Sequence, residues 1–187
     1  MATNRRLVAS SGADFYPTPA WVTRALLKAE TFEGGIWEPA CGNCDMANEL
    51  ETGGYTVRVS DIASRDVPVH QLDFLSDHGI RADNIVTNPP FNIAEDFVLK
   101  ALSCVEHKAA FFLRTAFLES ATRWRSIFST APPARVHIFS ERASLYPAGK
   151  TAKGGGTTSY AWFVWDKAVP PGPPQIFWIP PGAKTKD

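Results

Sequence analysis

The chain has 187 residues, 44% of them hydrophobic and 20% charged, which suits one globular domain with a sizeable core. No stretch reaches the about 18 consecutive apolar residues of a membrane span, and the opening run MATNRRLVASSGADFYP lacks the apolar segment of a secretory signal. The net charge is zero and the three cysteines (Cys41, Cys44, Cys104) make no disulfide framework, a pattern that predicts a cytoplasmic protein.

Residues 1–14 are polar and aperiodic and are expected to be disordered. PAWVTRALLKAE (19–30) spaces Val22, Ala25, Leu26 and Ala29 as a helix, with Pro19 in its first turn and Thr18 as its cap. GIWEPA (35–40) reads as a short buried strand, and a helix over 45–52 follows, stopped by Gly53-Gly54. YTVRVSDI (55–62) alternates and is β-branched, which predicts a strand. VHQLDFL (69–75) is a weak strand or loop, NIVTN (84–88) a short strand, and AEDFVLKALSCV (94–105) a helix. KAAFFLRTAFL (108–118) predicts a strand running into a loop, SATRWRSIFST (120–130) a helix, and RVHIFSER (135–142) and SYAWFVWDK (159–167) two strands. Residues 143–158 between them are Gly-rich and polar. The tail 168–187, with Pro at 170, 171, 173, 174, 180 and 181 around QIFWI, reads as an extended segment packed on the body.

Strands alternating with helices predict an α/β fold. Its sheet is mostly parallel and twisted, with helices on both faces and an antiparallel C-terminal hairpin. In such sheets ligands bind at the carboxyl ends of the strands. Glu38, Asp61, Asp73 and Asn88 all fall at such ends, which core packing does not explain.

Each end suggests a role. After Glu38, the turn of Pro39, Ala40 and Gly42 lets a ligand approach the backbone closely. Cys41-Gly42-Asn43-Cys44 also has the spacing of a redox dithiol, but nothing else supports one, and a zinc site lacks paired further ligands. Asp61 suits a ribose diol or, alternatively, a helix cap. Asp73 can accept from an adenine amine while Phe74 packs on the ring. In TNPPF, the Asn88 side chain and the Pro89 main-chain carbonyl can both accept from one exocyclic amine. Holding both protons there aims the nitrogen lone pair at an electrophile. Pro90 stiffens the turn, and Phe91 offers a face to a planar base or amide.

In order along the chain, DFYPTPAWV, EPACGNC, SDI, LDF and TNPPF resemble class I S-adenosylmethionine-dependent methyltransferases that modify exocyclic amines. The small phage and prophage DNA adenine methyltransferase-like proteins are the nearest in pattern. The resemblance covers about residues 14–167, and its most specific part is EPxCG followed by NPPF about fifty residues later. It implies a Rossmann-like methyltransferase domain over 15–167. It also implies S-adenosyl-L-methionine as cofactor, S-adenosyl-L-homocysteine as product and adenine in DNA as substrate. By the same resemblance, Tyr16 and Thr18 contact the methionine part, Glu38, Ala40 and Gly42 cradle it, Asp61 takes the ribose, and Asp73 and Phe74 take the adenine ring. Asn88, Pro89, Pro90 and Phe91 form the catalytic motif. One departure stands out: Cys44 occupies a position where the family has a second glycine, so a Cβ crowds the loop or alters its dihedrals.

The motif reports an sp² amine, not the polymer that carries it. RNA and protein glutamine amides remain alternative substrates, and an inactive cofactor- or nucleic-acid-binding relic remains an alternative to an enzyme. Residues 1–107 hold 8 basic and 15 acidic side chains, whereas 108–187 hold 11 and 4. A basic face built from the second half would favour nucleic acid; the other reading is that the signs interleave in space. Candidate substrate contacts are Tyr146, Lys150 and Lys153 in the Gly-rich loop, with Arg114, Arg142, Arg123 and Arg125 as further phosphate contacts. No metal site and no membrane contact are expected.

Overall fold

The computed structural model describes residues 16–63, 67–76, 78–145 and 158–184. The expected 1–14 tail and most of the Gly-rich loop, including Tyr146, Lys150 and Lys153, lie outside the described residues. Eight strands form one sheet: β1 (Ile36–Glu38), β2 (Val57–Asp61), β3 (His70–Gln71), β4 (Ala82–Thr87), β5 (Val105–Arg114), β6 (Arg135–Phe139), β7 (Tyr160–Asp166) and β8 (Gln175–Ile179). Their spatial order is β3-β2-β1-β4-β5-β7-β6-β8. The first five in that order run parallel, and β7 is antiparallel to both β5 and β6. This is the Rossmann-like methyltransferase architecture.

The tail, expected as an extended packed segment, holds a regular strand. QIFWI pairs parallel with β6, from Arg135↔Gln175 to Phe139↔Ile179, and becomes an edge strand. Flanking prolines hide it in the sequence because they read as linker, yet prolines outside a strand's ends cost the ladder nothing. Ile176, Phe177 and Trp178 of this strand are exposed.

Alternation along the central strands builds two cores. Ile85, Phe111 and Phe163 face one side, where the helix α3 (Ala94–Cys104) packs through Phe97, Val98 and Ala101. Val86, Phe112, Trp162 and Val164 face the other, covered by α1 (Ala20–Ala29) and α2 (Asp45–Thr52) through Val22, Leu26, Met46 and Leu50. Burying each large side chain contributes about 1.5–3 kcal/mol. Trp162 satisfies its ring N–H on the Val22 carbonyl at 3.0 Å, which pins α1 to β7. The predicted 120–130 helix is one α turn (Ala121–Arg123) that runs into a π segment (Trp124–Phe128). No helix among the described residues is long and apolar enough to cross a membrane.

The C-terminal end of α1 carries a buried charge network. Glu30 receives two hydrogen bonds from Arg135 and one from Lys108 (2.9 Å), and His137 Nε2 lies 2.9 Å from its Oε1. Asp166 shares Arg135 at 2.7 Å. Lys108, Arg135 and Asp166 all lie at the sheet edge opposite the carboxyl ends of the parallel strands. They therefore subtract from the basic face that the composition suggested. Burial alone would raise the Glu30 carboxyl; the hydrogen bonds from His137, Arg135 and Lys108 outweigh it and hold the pKa down to about 2. A depressed carboxylate stabilises the fold fully above its unfolded pKa of about 4.5 and loses that contribution as pH falls toward 2. Glu30→Gln should therefore lower the unfolding free energy at pH 7 by about 3–5 kcal/mol, because it strands buried cations. It should also remove part of the wild-type decline between pH 4.5 and 2, measured by urea unfolding across that range.

Candidate functional site

The carboxyl ends of β1, β2 and β4 open into a cleft with about 850 Å³ of empty space, counting the solvent at its mouth. Tyr16, Thr18, Glu38, Ala40, Asp61, Asp73, Phe74 and all of Asn88–Phe91 line it. Gly42 is the one expected cofactor residue that does not. It stands behind the wall, where its N–H donates to Asp61 Oδ2 at 2.9 Å. The other Asp61 oxygen accepts from the Ala63 N–H at 2.8 Å. Asp61 thus ties the loops after β1 and β2 together while facing the cleft. Asp73 accepts from the Leu75 N–H at 3.0 Å and the Ser76 hydroxyl at 2.9 Å, closing a tight turn. That turn seats Phe74 between Trp37 and Phe97, with ring centroids 5.2 and 5.0 Å away.

Sequence reasoning missed Ile62, Leu72, Leu75 and Phe97 as apolar lining, and Asp45 as a further acid. Phe97 lies on a helix with an ordinary core period, so no local signal separates it from packing. Asp45 did carry one, being an acid in the first turn after a Gly-containing loop.

Glu38 is fully buried and its Oε2 has no hydrogen-bond partner among the described residues. Burial pushes its pKa well up, the neighbouring Asp45 and Asp61 push the same way, and only the Ala47 N–H opposes them. Burial also raises Asp45. Glu38, Asp45 and Asp61 thus form an acidic cluster in the cleft wall.

On the neighbouring strand end, after β4, the Asn88 side-chain N–H groups donate to the Tyr16 carbonyl (3.2 Å) and the Thr18 hydroxyl (3.0 Å). Thr18 is therefore not the cap of α1. The helix starts at Ala20 with Pro19 at the cap position and no side-chain cap bond. With its nitrogen committed, the Asn88 amide turns its oxygen away, and that oxygen is buried with no partner among the described residues. An unsatisfied buried acceptor costs about 1–3 kcal/mol, which a donor from a ligand would recover. Phe91 sits beside it, tilted 45° to Tyr16 and 41° to Tyr160, with both centroids 5.7 Å away.

The arginines sort differently from expectation. Arg114 ends β5 and Arg142 follows β6 at the cleft edge of the sheet. Arg123 instead donates to the carbonyls of Ala116, Phe117 and Glu119 and packs on the Phe117 ring, which is a scaffold role. Arg125 is exposed on the π segment.

Cys44 is the only non-glycine with positive φ among the described residues (φ 64°, ψ 19°). The position has the left-handed backbone that glycine adopts freely, and a Cβ there costs about 1–2 kcal/mol. The buried thiol, packed with Cys41 and Ala47, offsets part of that. Burial raises the pKa of both Cys41 and Cys44, so neither is an activated thiolate.

No family model and no curated protein sequence matches the chain. Solved structures share its fold. A candidate RNA methyltransferase from Pyrococcus horikoshii superposes with a TM-score of 0.61 at 14% identity, over 84% of this chain and 89% of that one. A candidate class I S-adenosylmethionine-dependent methyltransferase from Listeria monocytogenes gives 0.59 at 12% identity, over 86% and 65%. The M protein of the type I restriction enzyme EcoKI gives 0.55 at 12%, over 80% and 43%. The chain thus spans under two thirds of the length of the last two. The sheet order and cleft place it in the class of Rossmann-like methyltransferase folds.

The strain at Cys44 predicts an inverted stability order. Cys44→Gly should lie within about 1 kcal/mol of wild type, and Cys44→Ala should be about 1 kcal/mol less stable than Cys44→Gly, although alanine keeps more buried surface. Urea midpoints of the three proteins check this.

Proposed function

We propose that the chain transfers a methyl group from S-adenosylmethionine to the exocyclic amine of adenine in DNA. The observation that carries this reading is the buried, partnerless Asn88 oxygen beside Phe91, on an amide whose orientation is fixed from behind. A side chain held this way is an acceptor waiting for an N–H. The fold shared with methyltransferases supports the chemistry, and the likeness to a restriction-system M protein supports DNA.

The cleft's acids and rings suit the cofactor chemically. The partnerless Glu38 oxygen, with Asp45 and Asp61 nearby, suits the cationic methionine end. Asp61 suits the ribose, and Asp73 and Phe74 suit the adenine ring against Leu72, Leu75 and Phe97. When bound, S-adenosylmethionine supplies an electrophilic methyl group on a sulfonium.

The chain's own residues prepare the nucleophile. Phe91 stacks the target base, and Pro89 and Pro90 hold the turn rigid. Asn88 Oδ1 and the Pro89 carbonyl accept hydrogen bonds from the two amine N–H groups, which raises electron density on the nitrogen and favours the tetrahedral geometry in which its lone pair points into the cleft. With the methyl donor held by Glu38, Asp61, Asp73 and Phe74, the amine nitrogen aimed by Asn88 and Pro89 would be the nucleophile, and the amine would release one proton to water. No side chain of raised basicity is required. A base within a duplex has to be flipped out to reach Phe91.

The test is transfer of labelled methyl to duplex DNA, single-stranded DNA, RNA and cell protein in parallel, with identification of the modified unit. Asn88→Ala should lower transfer by about 10²–10³-fold while cofactor affinity stays within a few-fold, the loss typical of one such polar group. Label in RNA or in protein glutamine would move the substrate, and collapse of cofactor binding in Asn88→Ala would remove Asn88 from the amine role.

Glu38 gives a second check. Protonation removes its attraction for a cation, so affinity for S-adenosylmethionine should rise with pH through a Glu38 titration placed above the usual 4.5. Glu38→Gln should weaken binding about tenfold or more and flatten that pH dependence in calorimetry.

A further inference from the structure

Arg114 ends β5 opposite Tyr160 of β7 and is exposed. Its guanidinium carbon lies 4.6 Å from the centre of the Phe91 ring. Its charge also acts on the neighbouring Tyr160 hydroxyl, opposing the rise in pKa that burial causes there. Tyr16 and Tyr160 meet Phe91 only at a tilt, so among the described residues the group lying over the ring is this flat cation. Among the seven other described arginines, four are satisfied by anions or carbonyls: Arg24 by Glu49, Arg81 by Glu106, Arg135 by Glu30 and Asp166, and Arg123 by three carbonyls. Arg114 has no carboxylate partner among the described residues. It is a planar, weakly hydrated cation, parked on the aromatic ring next to the partnerless Asn88 acceptor.

We propose that Arg114 holds the Phe91 face until a nucleotide displaces it, and that the freed guanidinium then pairs with a phosphate of that nucleotide's strand. The inference rests on the adenine-methylation reading above and adds to it the substrate class: a phosphate-bearing strand rather than a free nucleoside. The logic is one of exchange. A base stacks on an aromatic ring more strongly than an exposed cation does. Evicting Arg114 is nevertheless unfavourable unless the cation gains a new partner. A strand brings base and phosphate together, so both halves of the exchange are satisfied at once. A free nucleoside offers the base alone, and a glutamine amide offers neither a large stacking face nor an anion. The same side chain therefore screens out small substrates and positions the large one.

The test compares methyl transfer to an adenine-containing single-stranded oligodeoxynucleotide with transfer to free 2′-deoxyadenosine, for wild type, Arg114→Ala and Arg114→Lys. In Arg114→Ala, kcat/KM on the oligonucleotide should fall about tenfold or more while the nucleoside is used as well as before or better. The oligonucleotide-to-nucleoside preference should shrink by at least that factor. The slope of log affinity against log salt should become shallower by about 0.7, the loss of one phosphate contact on a single strand. Arg114→Lys should retain the slope. Equal losses on both substrates, or an unchanged preference and slope, would overturn the exchange while leaving adenine methylation in place. Wild-type transfer to protein glutamine only, or to nothing although S-adenosylmethionine binds, would overturn the adenine reading and this inference together.

Discussion

The Asn88 amide donates to Tyr16 and Thr18 across 72 and 70 residues of sequence, and the geometry of the cleft depends on that tie. It fixes where the chain enters α1, since Ala20 begins the helix two residues after Thr18. It also decides which atom of the amide is left without a partner among the described residues. At the far end of α1, Glu30 is held by Arg135, His137 and Lys108. The helix is thus anchored at both edges of the sheet, across the about 15 Å that ten residues span. Rigidity at the amino edge is what makes a fixed amide at the carboxyl edge possible.

Two buried glutamates show how the same group is put to opposite uses. Glu30 is surrounded by cations, and its charged form is stabilised despite burial. Glu38 is buried just as deeply but has acids for neighbours and one oxygen without a partner. The first is a finished structural element. The second keeps an unmet acceptor among the described residues, which the cationic end of the proposed cofactor would satisfy. The Asn88 oxygen likewise lacks a donor among the described residues. The two unmet acceptors sit at the ends of adjacent parallel strands, β1 and β4.

Much of this was legible in the sequence. Short apolar strands ending in Glu38, Asp61 and Asn88 fixed the sheet's carboxyl edge, because Gly, Pro and polar residues break a strand in ways that local chemistry dictates. What local patterns hide is partnership. Thr18 looks like a helix cap until Asn88 is seen to engage its hydroxyl. Lys108, Arg135 and Arg123 look like a basic face until their carboxylates and carbonyls are placed. QIFWI looks like a packed tail until β6 is found to lack a neighbour on that side. Tyr160 and Phe97 have ordinary core spacing, and only the fold brings them to the Phe91 and Phe74 rings. In each case the deciding contact is distant in sequence.

The insertion of β7 between β5 and β6 has a consequence for the order of assembly. β6 pairs only with β7 and β8, both of which lie C-terminal to it. During synthesis β6 therefore leaves the ribosome with no strand to join, while β1 to β5 already have theirs. Its apolar residues Val136, Ile138 and Phe139 must wait until residues 160–179 have followed. The parallel half of the sheet, with the cleft's acids and the Asn88 turn, can condense early, and the C-terminal third docks onto it late. Late, long-range pairing of this kind is slow and leaves strand edges open in the interval. The nascent chain is most exposed to wrong pairing while the segment between β6 and β8 is still being made.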